Sequence, residues 1–320
     1  MEKIRIVFMG TPEFAVESLK QLLEYNYEVA AVVTVPDKPA GRGLKLRESA
    51  VKSFALSHNL PVLQPERLKD QTFIDEISSF QANLFIVVAF RKLPDEIWSL
   101  PRFGTFNLHA SLLPQYRGAA PINHAIINGE TLSGVTTFFI NSGIDTGKII
   151  LNRSVAIAPD ETAGDLHDKL MVAGSSLVIE TVEAIASGNC SLKDQPLVTS
   201  GLKPAPRIFR EQCRIDWSKP VTEVHNLIRG LSPYPGAYSS IKTDKGLSEV
   251  KILRSLVYVG SGTETPGETV KIDSNRLLVS CADGLLEIIQ LQAAGKKAMS
   301  AGEFMRGIRS DVLQFATATE

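Results

Sequence analysis

The first thirty-five residues constrain the fold most. Ile4 to Met9 is apolar apart from Arg5, and Gly10-Thr11-Pro12-Glu13 follows at once. A short apolar run closed by a turn suits a parallel-sheet strand, buried on both faces. Thr11 is placed to cap a helix, Pro12 suits its first position, and Glu13 suits its positive end. Phe14, Leu19, Leu22 and Leu23 supply an apolar stripe, and Glu28 to Val35 returns to strand composition. A β-α-β unit therefore opens the chain. Strands and helical patterns alternate to about residue 190, with Asn83–Phe90 a strongly apolar strand. That alternation predicts an α/β fold with a doubly wound, mostly parallel sheet, whose ligands lie beyond the carboxyl ends of the strands.

The pattern then changes. Helical spacing over Asp165 to Ser187 stops at Gly188-Asn189, and a stretch with little periodicity follows. A first domain over 1–190, a linker over 191–208 and a second domain over 209–320 are expected. After a helix at Val221–Gly230, short apolar runs at 237–242, 250–259, 267–273, 276–280 and 285–291 alternate with turn residues. That spacing predicts a small β-barrel. Pro36 to Arg47 carries two prolines, two glycines and four cationic residues, and is expected to be a mobile basic loop.

At 320 residues the chain can hold two cores, and a net charge of −1 gives no global pull towards nucleic acid. Any RNA contact must come from local clusters. Arg207, Arg210, Arg214, Lys296 and Lys297 are the candidates in the second half, although each, taken singly, reads as solvated surface before it reads as an RNA contact. Three cysteines, 190, 213 and 281, have no metal-site spacing and fit a reducing compartment. The amino-terminal apolar run is too short for a signal peptide, and no run reaches the roughly 18 residues of a membrane span. A cytoplasmic location is expected. No Walker loop, nucleophile elbow or Gly-x-Gly-x-x-Gly follows the first strand.

The residues that carry chemistry lie in Phe106-Asn107-Leu108-His109-Ala110-Ser111-Leu112-Leu113-Pro114. Residues two apart in a strand share a face, so Asn107 and His109 point together at a strand's carboxyl end. Downstream, Asn141-Ser142-Gly143-Ile144-Asp145-Thr146-Gly147 offers a carboxylate in a glycine-flanked turn. An amide can hold a developing oxyanion, and an imidazole beside a carboxylate can stabilise charge or take a proton. Spacing alone equally allows Asn107 and His109 to satisfy loop backbone and Asp145 to be a turn residue.

Asn107 to Pro114, continuing as Gln115-Tyr116-Arg117-Gly118-Ala119-Ala120-Pro121-Ile122, resembles the formyltransferase signature, with Ile144-Asp145-Thr146-Gly147 supplying its aspartate. The loop Pro36-Asp37-Lys38-Pro39-Ala40-Gly41-Arg42-Gly43, the segment Arg214-Ile215-Asp216-Trp217 and Gly295-Lys296-Lys297-Ala298-Met299 narrow the likeness to the methionyl-tRNA formyltransferases. The resemblance implies a Rossmann-like catalytic domain with an OB-like carboxyl-terminal barrel. It implies formyl transfer from 10-formyltetrahydrofolate, as donor substrate, to the amine of initiator methionyl-tRNA, with no metal required. Asn107 would hold the formyl oxygen, His109 would stabilise the charge, and Asp145 would orient His109. Folate would lie against main chain near Phe85, Val88, Ala89 and Phe90, against Ser111, Leu112, Leu113 and Pro114, and beside Asn141. RNA contacts would come from Arg42, Lys45, Arg207, Arg210, Lys296 and Lys297, and a monomer is expected. Sugar-nucleotide formyltransferases share the chemistry but usually lack a Gly-Arg-Gly loop. Relatives commonly carry an aromatic followed by Gly where this chain has Phe90-Arg91, and Lys at position 207.

Overall fold

The computed structural model describes residues 3–40, 45–196, 200–243, 246–259, 265–271, 276–307 and 314–315. The chain divides into two compact units. The first comprises residues 1–118, 133–155 and 167–204, and the second 119–132, 156–166 and 205–320.

Among the described residues nine strands, β1 (Arg5–Gly10), β2 (Glu28–Val33), β3 (Lys38–Ala40), β4 (Lys45–Arg47), β5 (Val62–Leu63), β6 (Leu84–Val88), β7 (Thr105–His109), β8 (Leu132–Phe139) and β9 (Ile149–Ala156), precede residue 157. Seven of them form one sheet in the order β5-β2-β1-β6-β7-β8-β9. The pairs from β5 to β7 are parallel, and β8 returns antiparallel to β7. Helices α1 (Glu13–Glu24), α2 (Ala50–Ser57), α3 (Gln71–Ser79) and α4 (Asp95–Trp98) connect the early strands. The apolar composition of β1 is explained by burial on both faces: Ile6, Val7, Phe8 and Met9 are all inaccessible. One face packs Val7, Met9, Val33 and Phe85 against Phe73 and Ile77 of α3.

The second unit holds α5 (Pro121–Ile127), α7 (Val221–Gly230) and α8 (Ala301–Gly307), while the long α6 (Ala163–Ser187) begins at its 156–166 segment. Its strands are β10 (Ala237–Thr243), β11 (Gly246–Tyr258), β12 (Thr269–Lys271), β13 (Leu277–Ser280), β14 (Leu285–Ala293), β15 (Met299–Ser300) and β16 (Gln314–Phe315). They form an antiparallel sheet in the order β12-β13-β14-β11-β10-β16, with β15 on β14. A bridge from Gln314 back to Glu268, next to β12, brings the sheet close to a closed barrel. Val221, Val224 and Ile228 lie on one face of α7, as their three- and four-residue spacing requires, and pack on Ile252, Leu286 and Trp217. Trp217 is fully buried, and its indole N–H donates to Ser239 Oγ at 3.0 Å.

Three expectations are corrected. Thr11 does not cap α1; the helix starts at Glu13, with Pro12 at the capping position and no side-chain bond there. The base of the expected 36–47 loop is a two-stranded ribbon in which Lys38 pairs with Arg47 and Ala40 with Lys45. The first part of the expected linker is docked: Lys193 exchanges both backbone hydrogen bonds with Ile149, and Gln195 is buried. Helix α5, which has Pro at its first turn, had no counterpart in the sequence reading.

Candidate active site

The site is built outward from β7. Leu108 packs on α6 so closely that a Cβ at Gly174 would come within 2.8 Å of its Cδ2. Asn107 and His109 therefore take the opposite face of the strand. His109 is only 6% exposed. Its Nε2 lies 2.8 Å from the carbonyl oxygen of Tyr116. A carbonyl can only accept, so this contact assigns the ring hydrogen to Nε2 and leaves Nδ1 as the basic nitrogen of the neutral ring. Nδ1 faces Asp145 Oδ2 at 3.8 Å, beyond hydrogen-bond reach but close enough to stabilise an imidazolium. Asn107 is half-buried, and among the described residues its side-chain amide makes no hydrogen bond. A donor left free on the strand face that also carries His109 is suited to an oxyanion.

Two loops complete the cluster. Between Ala110 and Gly118 the chain is folded tightly: Thr136 Oγ1 donates to Ser111 O at 2.7 Å and accepts from Leu113 N at 3.1 Å. Tyr116, at φ +59°, turns its carbonyl towards His109. The amide of Gly118 donates at 2.9 Å to Asp145 Oδ2, the same oxygen that His109 Nδ1 faces, and so helps to fix the carboxylate. In the second loop, Asn141 Oδ1 accepts from Gly143 N at 3.0 Å and from Thr146 Oγ1 at 2.9 Å. Gly147 passes so near Phe139 that a Cβ would fall 1.6 Å from that carbonyl oxygen, so no other residue fits there. Asp145 itself holds φ +53°, in the left-handed region that a residue with a Cβ rarely adopts.

Phe85 and Val88 are buried in the sheet, so only main chain could meet a ligand there. Ala89, exposed and at φ +48°, turns the backbone outward at the carboxyl end of β6, and Phe90 is half-buried. Arg91, whose ordinary range is lowered by burial, folds back to donate to the carbonyls of Pro65 and Glu66. Ser111 is fully buried and donates to Gln115 O at 2.6 Å, Leu113 is buried, and Leu112 and Pro114 are half-buried. Arg42 lies outside the described residues, and Lys45 begins β4. Arg207 is exposed over the Phe209 ring, Lys296 and Lys297 are exposed after β14, and Arg210 is paired with Glu249 at 2.6 Å. The groups that sequence reasoning missed are the Tyr116 carbonyl, the Gly118 amide and the Gln195 side chain. Nothing in a residue's type announces which backbone group it will aim.

No group of three or more His, Cys, Asp or Glu residues comes together as a metal site among the described residues. Burial pushes the thiols of Cys190 and Cys213 up, and that of Cys281 up to about 12. A thiolate nucleophile at neutral pH is therefore disfavoured.

Residues 3–182 match the family described as formyl transferase, and residues 207–309 match the formyl transferase carboxyl-terminal domain. The chain belongs to the formyl transferase family. Within the family, it is 50% identical to the methionyl-tRNA formyltransferase of Bacteroides thetaiotaomicron over 96% of this chain and 97% of that one. The Flavobacterium johnsoniae enzyme of the same name is 49% identical over 96% and 97%. A solved sugar 3N-formyltransferase, WlaRD with dTDP and 5-N-formyl-THF, superposes with a TM-score of 0.67 at 25% identity, covering 93% of this chain and all of that one. HypX from Aquifex aeolicus with tetrahydrofolic acid shares the fold, with a TM-score of 0.66 at 18% identity, over 98% of this chain and 51% of that one.

Proposed function

We propose that the chain transfers the formyl group of 10-formyltetrahydrofolate to the amine of methionyl initiator tRNA. The observation that carries this reading is the likeness to methionyl-tRNA formyltransferases at 50% identity, which runs through both units, against 25% for the sugar formyltransferase. The donor supplies the one-carbon unit already activated. Asn107 directs its free amide at the formyl oxygen, where negative charge develops as the amine attacks. His109 accepts a proton from the attacking amine at Nδ1, and the imidazolium so formed is held by Asp145 and stabilises the same oxyanion. As the intermediate collapses the formyl C–N10 bond of the donor breaks, and the imidazolium returns the proton to N10, releasing tetrahydrofolate. Gly118 keeps that carboxylate from turning away. Main chain past Val88 and the Ser111–Pro114 segment would hold the folate, and Asn141 would contribute through its amide nitrogen, its oxygen being used by the loop.

Residues 1–190 would then form the catalytic domain, with the barrel of residues 209–320 as an RNA-binding platform. Arg42, Lys45, Arg207, Lys296 and Lys297 are the proposed phosphate contacts; Arg210 would first have to leave Glu249. The enzyme would work as a cytoplasmic monomer; no helix among the described residues is long and apolar enough to cross a membrane. The test is a parallel assay with charged initiator tRNA, charged elongator tRNA and a UDP-amino sugar as acceptors. Formylation of the initiator alone is the expected result. Equal use of the amino sugar would overturn the acceptor assignment and leave the formyl chemistry standing.

A further inference from the structure

One buried side chain outside the signature segments makes more directed hydrogen bonds than any group of the proposed triad. Gln195 lies in the aperiodic stretch after α6 and is 9% exposed. Its Nε2 donates to the carbonyl of Asp145 at 3.0 Å and to that of Gly147 at 2.7 Å. Its Oε1 accepts from Arg117 Nε at 3.1 Å and Arg117 Nη2 at 2.6 Å. Two donors and two acceptor sites are the whole capacity of an amide, and all are used. The orientation is fixed by chemistry, because a flipped amide would set oxygen against two carbonyls and nitrogen against a guanidinium. The segment that carries Gln195 is itself held, since Lys193 bonds both ways with the backbone of Ile149.

Those four bonds join the two loops that define the carboxylate's place. Arg117 is the neighbour of Gly118, whose amide holds Asp145 Oδ2. Asp145 and Gly147 are the positions where the second loop is most constrained, one by its left-handed φ and the other by the absence of room for a Cβ. A backbone conformation of that kind persists only where its surroundings over-determine it. We propose that Gln195 is a positioning residue for Asp145. It locks the 145–147 backbone to the 117–118 loop so that the carboxylate stays opposite His109 Nδ1. The inference rests on the reading of His109 and Asp145 as catalytic groups.

The test uses full-length enzyme with charged initiator tRNA and 10-formyltetrahydrofolate. Gln195→Met keeps the length of the side chain and removes every hydrogen bond. Gln195→Glu keeps an acceptor for Arg117 and replaces the donor facing the two carbonyls. Both should lower kcat by about 100-fold, the scale of an ångström of misplacement, and leave both KM values within about 3-fold. In an Asp145→Asn background, Gln195→Met should cost no more than about 3-fold, because two changes that act through one carboxylate are not additive. A merely structural glutamine would cost the same in both backgrounds, and that result overturns the proposal. So does wild-type kcat in Gln195→Met while Asp145→Asn is inactive. Full activity in Asp145→Asn would instead remove the catalytic reading, and the positioning role with it. If Gln195→Met melts below the assay temperature, Gln195→Asn carries the same comparison, since its amide is one methylene short of the loop.

Discussion

The end of β7 and the interior of the barrel solve opposite problems. Six non-glycine residues among those described have positive φ: Asn26, Asn59, Gln81, Ala89, Tyr116 and Asp145. All belong to the first unit, and none to the barrel. Asn26, Asn59 and Gln81 each lie two residues past the last residue of a helix, where a left-handed residue commonly ends the spiral. Ala89, Tyr116 and Asp145 end no helix. They stand where β6 meets solvent, where a carbonyl is aimed at His109, and where a carboxylate faces the same ring. Strain is spent at the proposed chemistry, whereas the barrel interior is an ordinary apolar core around Trp217 and Leu286. The contrast implies that the two regions should fail differently when damaged.

The largest separation is expected at the β7 end. His109→Ala should lower kcat by about 10²–10⁴-fold and Asn107→Ala by about 10²–10³-fold, with melting temperature nearly unchanged. Steady-state kinetics beside thermal melts would check this, and near-normal turnover in either variant would take that residue out of the mechanism. Trp217→Ala should do the reverse. Loss of a fully buried indole costs about 3–5 kcal/mol of stability, to be read from urea unfolding, while kcat per folded molecule changes little. Equal loss of kcat in both sets of variants would erase the distinction. Smaller again is the paired change Lys296→Ala with Lys297→Ala, which should raise KM for charged tRNA. It should also flatten the log–log salt dependence of binding by up to about 2. An unchanged slope would leave those lysines without an RNA contact.

Much of this was legible in residue order. The apolar runs of β1, β2 and β6 declare buried parallel strands because a strand covered on both faces has no polar residue to alternate with. Val221–Gly230 was readable as a helix from its spacing, and Asn107 and His109 were readable as a pair because β-structure repeats every second residue. The barrel's strand ends were blurred: β11 starts at Gly246 where the pattern suggested Val250, since the one apolar side chain among its first four residues, Leu247, is exposed and isolated. What could not be read was the set of backbone partners. The Tyr116 carbonyl and Gly118 amide are aimed by dihedral angles, and Gln195 reaches Asp145 across 50 positions of chain. Side-chain type carries no trace of either. A stretch without periodicity reads as linker whether it floats or is docked.

The smallest effect is a pH response of the second unit, centred on one buried histidine. In the second unit His225 is 6% exposed, with Nδ1 3.0 Å from Ser255 Oγ and Nε2 3.4 Å from Asp160. Burial lowers its affinity for a proton first, and the charge of Arg229 second; Asp160 and the Pro159 carbonyl oppose them less strongly. The folded state therefore favours the neutral ring, while the unfolded chain takes up a proton at the ordinary value of about 6.5. Stability from this group is complete above about pH 6.5 and is lost as the pH falls from there towards the folded value, by at most about 1.4 kcal/mol per pH unit. Urea melts at pH 7.5 and 5.5 should show a smaller acid loss in His225→Gln than in the parent chain. Equal acid losses in the parent and His225→Gln would mean that the buried ring contributes nothing to the pH response.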